Sequence, residues 1–273
     1  MPELAEVEFF RKQWDPGLNR KIIGIHLHAQ KRIFRGVPIQ SLKRSISGKI
    51  LLSSQTHGKQ MLFRLGQNGW LGIHLGMTGK LSAKPADYQP GPHDHLVLRT
   101  RGSSLVFSDP RIFGRIRFHY AHHPPDWWTR LPPSPLSTDF DLPRLADICR
   151  RRGRTSLKAL LLRQDCFPGI GNWMADEILW QTRLHPNTHG KSLSPLQIRG
   201  LYASIRKICR EAMRIIGKDW SDPPQSWLFL HRWKAGGKCP KCRSNLARGP
   251  VGGRTTCWCP SCQPPLPRRG RPA

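Results

Sequence analysis

The 273-residue sequence predicts an α+β protein of two domains, an antiparallel β-sandwich or barrel followed by a helical domain that ends in a metal-bound β-hairpin. Three observations carry that prediction. Short apolar runs with a strand period fill the first 120 or so residues, the period changes to spacings of three and four beyond about residue 140, and two Cys-x-x-Cys pairs stand near the C-terminus. With 38% apolar residues the chain can build real cores.

Between about residues 20 and 120 the segments KQMLFRL (59–65), GWLGIHL (69–75), HLVLRT (95–100), SLVFSD (104–109) and RIRFHY (115–120) read as strands, punctuated by Gly, Asn and Asp turn signals. HHPPDWWTRLPPSPLSTD (122–139) packs five prolines into one stretch, which suits a linker and opposes a central strand or helix. Then LPRLADICRRR, SLKALLLRQD, GNWMADEILWQT and PLQIRGLYASIRKICREAMRIIG carry the spacing of amphipathic helices. The expected organisation is a β domain at 1–121, a proline-rich linker at 122–139, a helical domain at 140–222, a cysteine-bearing finger at 223–263 and a disordered basic tail at 264–273.

The charge balance narrows the partners. Lys and Arg number 45 against 17 Asp and Glu, a formal charge of +28 with a pI near 11.0. Such a field attracts a polyanion, and nucleic acid is the expected partner because each neutralised phosphate releases counterions. No run reaches the roughly 18 apolar residues of a membrane span, and the acidic start lacks the features of a signal peptide, so the expected location is intracellular, in cytoplasm or nucleoid, without a membrane partner. A charged surface without a specific ligand, or an RNA-binding or ribosome-associated zinc protein, is the lesser alternative that charge alone leaves open.

Four of the eight cysteines form CPKC (Cys239, Cys242) and CPSC (Cys259, Cys262), separated by RSNLARGPVGGRTTCW. Two such knuckles around a hairpin that turns near Gly252 and Gly253 make a tetrahedral thiolate cage for one structural zinc, with iron or two disulfides as the alternatives. Four protein ligands leave no open position for a metal-bound water. Cys257 is a candidate spare ligand or a free thiol, and Arg248 and Arg254 lie on the loop the metal would hold. In FPGIGNWMADEIL (167–179) a glycine turn precedes Asn172, which is placed to cap the following helix and to present backbone N–H groups to one phosphate.

Taken together, MPELAEVE at the start, HGK (57–59), HLGMTGKL (74–81), HDH (93–95), DPRIFG (109–114), SLKALLLRQDCFPGIGNWMADEIL (156–179) and the cysteine hairpin with GGRTT resemble the formamidopyrimidine-DNA glycosylase and endonuclease VIII family of base-excision repair enzymes. The resemblance spans nearly the whole chain. It implies an N-terminal β-sandwich, a C-terminal helix-two-turn-helix domain with a zinc-finger hairpin, a monomer, and a substrate of double-stranded DNA bearing oxidised bases or abasic sites. The implied activity is that of a bifunctional glycosylase and abasic-site lyase.

The resemblance gives the acidic opening a chemical purpose. Removal of Met1 would expose Pro2 as a secondary amine of pKa roughly 8, a nucleophile toward the sugar C1′. Glu3 then fits the proton donor to the sugar ring oxygen and the shuttle for the eliminations, Glu6 helps position the lesion and the terminus, and Lys59 matches the lysine beside the opened sugar and phosphate. Met77, Arg111 and Phe113 correspond to the trio that fills the void left by an extruded base. Asn172, Lys158, His93 and Arg254 match positions that contact phosphates around the lesion. Read without the resemblance, MPELAEVE is an acidic first helical turn with proline at N1, and the trio is a core Met, a surface Arg and a core Phe.

Three departures matter. Ala5 replaces the usual proline of the opening, Ile112 replaces the second arginine of DPRRFG-like segments, and the span from Gly217 to Cys239 is short where the family carries a flexible loop over extruded 8-oxoguanine. The short span predicts weak action on 8-oxoguanine and a preference for formamidopyrimidines, hydantoins or oxidised pyrimidines. A non-catalytic damaged-DNA-binding protein on the same scaffold is the alternative reading.

Overall fold

In the computed structural model, which describes residues 1–265, the chain forms two compact units, Met1–Leu131 with Gly217–Trp220, and Pro132–Ile216 with Ser221 onward. In the first, helix α1 (Leu4–Lys12) leads to β1 (Gly24–Leu27), α2 (Ile39–Ile46), β2 (Leu51–His57), β3 (Gln60–Leu65), β4 (Gly69–His74), β5 (Lys80–Lys84), β6 (Asp94–Arg99), β7 (Ser104–Ser108) and β8 (Arg115–Tyr120). Two antiparallel sheets result, ordered β1-β6-β7-β5 and β2-β3-β4-β8. The five sequence-predicted strands are all present; β1, β2 and β5 are additional. Their half-buried and mixed sequences, such as LLSSQTH, lack a clean alternation.

The period-two rule decides what faces the core. In β4, Leu71 and Ile73 join Phe63, Ile116, Leu96, Leu98, Leu105 and Phe107 in one cluster, while Trp70, Gly72 and His74 take the opposite face. Helix α1 adds Val7 and Phe10 to that cluster, and the adjoining Trp14 is buried with its indole N–H donating to the Val106 carbonyl at 3.2 Å.

The proline-rich stretch is not a free linker. Pro125 precedes a four-residue helix α3 (Asp126–Thr129), whose Trp127 occupies a notch at Gly72, where a Cβ would lie 2.5 Å from the ring. The Arg117 guanidinium covers the same ring at 4.7 Å. Proline at the position before a helix costs no hydrogen bond, so the proline count misled about helix here.

The second unit contains α4 (Leu142–Arg151), α5 (Leu157–Leu161), α6 (Asn172–Gln181), most of α7 (Pro195–Asp219) and the hairpin of β9 (Ala247–Val251) and β10 (Arg254–Trp258). Asp141 caps α4 by accepting from Arg144 N at 2.8 Å. Arg206 donates to the carbonyls of Ser137 at 2.8 Å and Phe140 at 3.4 Å, holding the later part of the proline stretch within this unit. Gly252 and Gly253 turn the hairpin with φ of 61° and 73°, the conformation a two-residue hairpin turn demands. The finger shares a hydrophobic cluster with Trp180 and Leu228, so it is part of this unit and not a separate domain. Most of the expected basic tail, residues 266–273, lies outside the described residues. Among those described, no helix is long and apolar enough to cross a membrane.

Candidate active site and nucleic-acid interface

Helix α1 begins at Leu4, with Glu3 as its N-cap and Pro2 outside the helix, so Pro2 is not the N1 proline of an ordinary helix start. Glu3 and Glu6 form a capping box: the Glu3 carboxylate accepts from the Glu6 amide, and Glu6 Oε2 accepts from Glu3 N at 3.2 Å. That reciprocal pair fixes the direction of two carboxylates whose charge the helix N-terminus favours. Glu3 is buried, yet Pro2 just ahead of it is half-buried and Met1 exposed.

Register along α1 locates Lys59. Arg11 donates to Ser54 Oγ at 2.6 Å and Thr56 Oγ1 donates to Glu8 Oε2 at 2.7 Å, so moving back along the helix means moving forward along β2. The helix start therefore runs toward the two-residue turn Gly58–Lys59 between β2 and β3. Gly58 adopts φ 58° at its first position, which suits a glycine. Lys59 is 8% exposed on that turn. His74, at the end of β4, is driven down to about 4 by burial and by the positive charges of Lys59 and Arg117. Its Nδ1 accepts from Gly76 N at 3.0 Å, which leaves Nε2 as the ring's donor. The sequence reading missed His74 as a functional candidate, although it stands within HLGMTGKL; the signal was its place at a strand end, directly before the glycine turn.

Met77 and Phe113 are each 44% exposed, which excludes the core reading for both. Exposed large apolar side chains on tight loops have the form of a wedge. Arg111 is exposed too, its guanidinium 4.8 Å from the Phe113 ring. Ile112 between them has φ 56°, unusual for a β-branched residue. His93 is exposed at the start of β6.

Three residues of the second unit depart from expectation. Lys158 is fully buried: its ammonium forms an ion pair with Asp176 and donates to the Asn172 carbonyl at 2.6 Å. It holds α5 against α6 with no exposed surface, an arrangement that counts against the expected contact with a phosphate. Asp176 Oδ2 also accepts two hydrogen bonds from Arg232 (2.6 and 3.2 Å) and one from the Cys257 amide at 3.0 Å. Asn172 is the first helical residue and not the cap, which is Gly171; its amide Nδ2 donates to the Thr255 carbonyl at 2.9 Å. Cys257 is not a member of the clustered thiol set; it is buried in β10, and its amide is committed to Asp176. Arg254 stands exposed at the hairpin tip, where Gly252 lies so close to α5 that a Cβ would be 2.7 Å from Ala159. Asn172 thus ties the start of α6 to β10 next to Arg254 in the chain.

The sulfur atoms of Cys239, Cys242, Cys259 and Cys262 lie within 4.8 Å of one another, with Cys239–Cys262 at 3.9 Å and Cys242–Cys259 at 3.4 Å. A tetrahedral ion with metal–sulfur bonds of about 2.3 Å needs sulfur separations of roughly 3.8 Å, so the set fits. The Trp180 indole N–H points at Cys239 Sγ (3.4 Å) and the Cys262 amide at Cys259 Sγ (3.4 Å), donors suited to thiolate ligands.

Comparison with known proteins agrees with this architecture. Residues 1–116 match the family described as the formamidopyrimidine-DNA glycosylase N-terminal domain, and residues 131–222 match the formamidopyrimidine-DNA glycosylase H2TH domain. A formamidopyrimidine-DNA glycosylase of Roseiflexus sp. is 35% identical over 280 residues, covering 96% of this chain and all of the relative. Among solved structures, the Lactococcus lactis Fpg (MutM) bound to DNA containing an oxidised pyrimidine superimposes with a TM-score of 0.87 at 29% identity, covering 96% of this chain and 100% of that one. The same protein non-covalently bound to DNA with an abasic site gives 0.85 at 28% identity, over 96% and 99% of the two chains. On the two domain matches and the full-length relative, this chain belongs to the formamidopyrimidine-DNA glycosylase family.

Proposed function

We propose that this protein is a bifunctional DNA glycosylase and abasic-site lyase of base-excision repair, acting on double-stranded DNA with oxidised bases. The observation that carries the reading is Pro2, held outside α1 directly ahead of a buried, capping-box-oriented Glu3, at the helix end that runs toward Lys59. After removal of Met1, the lone pair of the Pro2 nitrogen attacks C1′. The bond to the damaged base breaks with its electrons leaving on the base. Glu3 takes up the proton that the Pro2 nitrogen loses after attack and delivers it to the ring oxygen as the sugar opens. Because the amine is secondary, the resulting iminium is cationic without an added proton, and it acidifies C2′. Loss of a C2′ proton expels the 3′ phosphate, and a second elimination expels the 5′ phosphate.

Lys59 and the neutral His74, which offers a donor at Nε2, supply positive potential and a hydrogen bond for phosphates near the opened sugar. Met77, Arg111 and Phe113 fill the void in the duplex; His93, Asn172 and Arg254 hold the backbone. The four cysteines would hold one structural zinc, which ties the hairpin and its Arg254 in place and takes no part in the chemistry. The protein acts as an intracellular monomer.

The lesion preference is for formamidopyrimidines, hydantoins or oxidised pyrimidines over 8-oxoguanine. Its support is the short Gly217–Cys239 span, part of which is tied down: Trp227 and Leu228 are buried and Phe229 N donates to the Glu177 carboxylate at 3.0 Å. Equal single-turnover cleavage of 8-oxoguanine and hydantoin duplexes would overturn that preference.

Borohydride trapping on a duplex with one abasic site, followed by peptide mass mapping, tests the central claim. A reduced adduct on Pro2 is expected. Absence of an adduct from metal-loaded protein with a free Pro2 terminus would leave the non-catalytic DNA-binding reading.

A further inference from the structure

We propose that Asp109 is a positioning residue for base extrusion, joining the Met77 loop and the Arg111–Phe113 loop into a single stiff wedge. The inference rests on the reading of those three residues as void fillers, and deepens it. Asp109 is fully buried, and both carboxylate oxygens are spent on loop atoms. Oδ1 accepts from Thr78 Oγ1 at 2.6 Å, next to Met77, and Oδ2 accepts from Gly114 N at 2.6 Å, next to Phe113. Its backbone is held as well: its N–H donates to the His93 carbonyl at 3.0 Å, and its carbonyl meets Ile112 N at 3.2 Å and His95 Nε2 at 2.9 Å.

The two loops touch backbone to backbone. Gly76, at φ 64°, lies where a Cβ would be 2.4 Å from the Phe113 carbonyl carbon, and a Cβ on Gly114 would be 3.0 Å from the His74 carbonyl oxygen. No side chain fits between them, so the carboxylate of Asp109 is the group that bridges the pair. From the outside, Arg32 donates to the Ile112 carbonyl at 3.2 Å and places its guanidinium 5.6 Å from the Phe113 ring, opposite in role to Asp109 beneath. Ile112 keeps its left-handed backbone within this frame, as a strained residue does only where its surroundings over-determine it. A wedge driven into stacked bases is pushed back by them, and the hydrogen bonds that both loops donate to one buried carboxylate are the means by which this fold resists.

The test uses three readouts on the full chain. One is single-turnover excision of an oxidised base from a duplex. The second is incision at a preformed abasic site in single-stranded DNA, which requires no extrusion. The third is fluorescence of 2-aminopurine beside a non-cleavable abasic analogue in a duplex, which reports unstacking without chemistry. Thr78→Val removes one tie with little change of shape, Asp109→Asn keeps an acceptor for Gly114 N, and Asp109→Ala removes both ties. Thr78→Val is expected to lower duplex excision and the fluorescence rise by about tenfold, the worth of one charge-assisted hydrogen bond, while single-strand incision stays at the wild-type rate. Asp109→Ala should match Phe113→Ala, and Asp109→Asn should recover part of the loss.

Wild-type excision by both Thr78→Val and Asp109→Asn would overturn the proposal, as would an equal fall on duplex and single strand, the mark of a general folding defect. A wild-type protein that unstacks the probe yet cuts neither substrate removes the glycosylase reading and leaves this one standing, because the fluorescence still ranks the variants. A wild-type protein that cuts the duplex without unstacking the probe overturns this one alone.

Discussion

Lys59 and Lys158 are both buried lysines, each inside a family motif, and the sequence treats them alike as groups for DNA. The structure separates them. Lys59 stands on a two-residue turn, 8% exposed, where its charge contributes to keeping His74 neutral. Lys158 is wholly enclosed, and its ammonium is committed to Asp176 and to the Asn172 carbonyl. The lesson is that residue type within a motif does not fix what a lysine does; its place in the packed fold does. In the first unit Lys59 sits at a strand turn beside His74; in the second, Asp176 gathers Lys158, Arg232 and the Cys257 amide into a structural knot.

The comparison can be broken most decisively at Asp176. Asp176→Asn leaves two buried cations without their counter-charge and should cost about 3–5 kcal/mol, seen as a lower melting temperature and easier loss of metal to a chelator. Lys59→Met should lower the melting temperature less than Asp176→Asn does and lower single-turnover incision by at least about a hundredfold. Similar stability losses in the two variants would mean that Lys59 is structural as well.

Glu177 sharpens the contrast through pH. Burial pushes its carboxyl up from 4.5 to about 7, so the folded protein binds a proton over that interval that the unfolded chain has released. The stability that this neutral form contributes is present below about pH 4.5 and is lost as pH rises through about 7. Glu177→Gln, which keeps an acceptor for Phe229 N, should therefore be more stable than wild type at about pH 8, by on the order of 2 kcal/mol, with the gap closing toward about pH 5. Denaturant midpoints measured at several pH values read this directly; a gap that does not change with pH refutes it.

The smallest effect compares Lys158 with Arg254. Arg254→Ala should reduce the slope of log affinity against log salt for duplex DNA by about one, whereas Lys158→Met, compared at equal folded fraction, should leave that slope unchanged. A lower slope for Lys158→Met would restore it as a phosphate contact.

Much of the fold was legible because its signals are local. The strands from β3 onward that alternate cleanly, the four main helices and the cysteine hairpin each declare themselves within a dozen or so residues. Strands β1, β2 and β5 did not, since their faces are only partly buried and their composition is mixed. Trp127 was hidden by the prolines around it, and its purpose depends on a missing side chain at Gly72, distant in sequence.

What the sequence alone determined is the inventory: family, fold class, the thiolate set, and a proline and two glutamates at the start of a helix. Those follow from residue type and short spacing. The tertiary structure decided which of the charges are spent internally. Asp176 meets partners 18, 56 and 81 positions away, and Asp109 meets Thr78 from 31 positions away. Pairings at such separations are set by how elements pack, because burying an unpaired charge costs more than any local preference supplies.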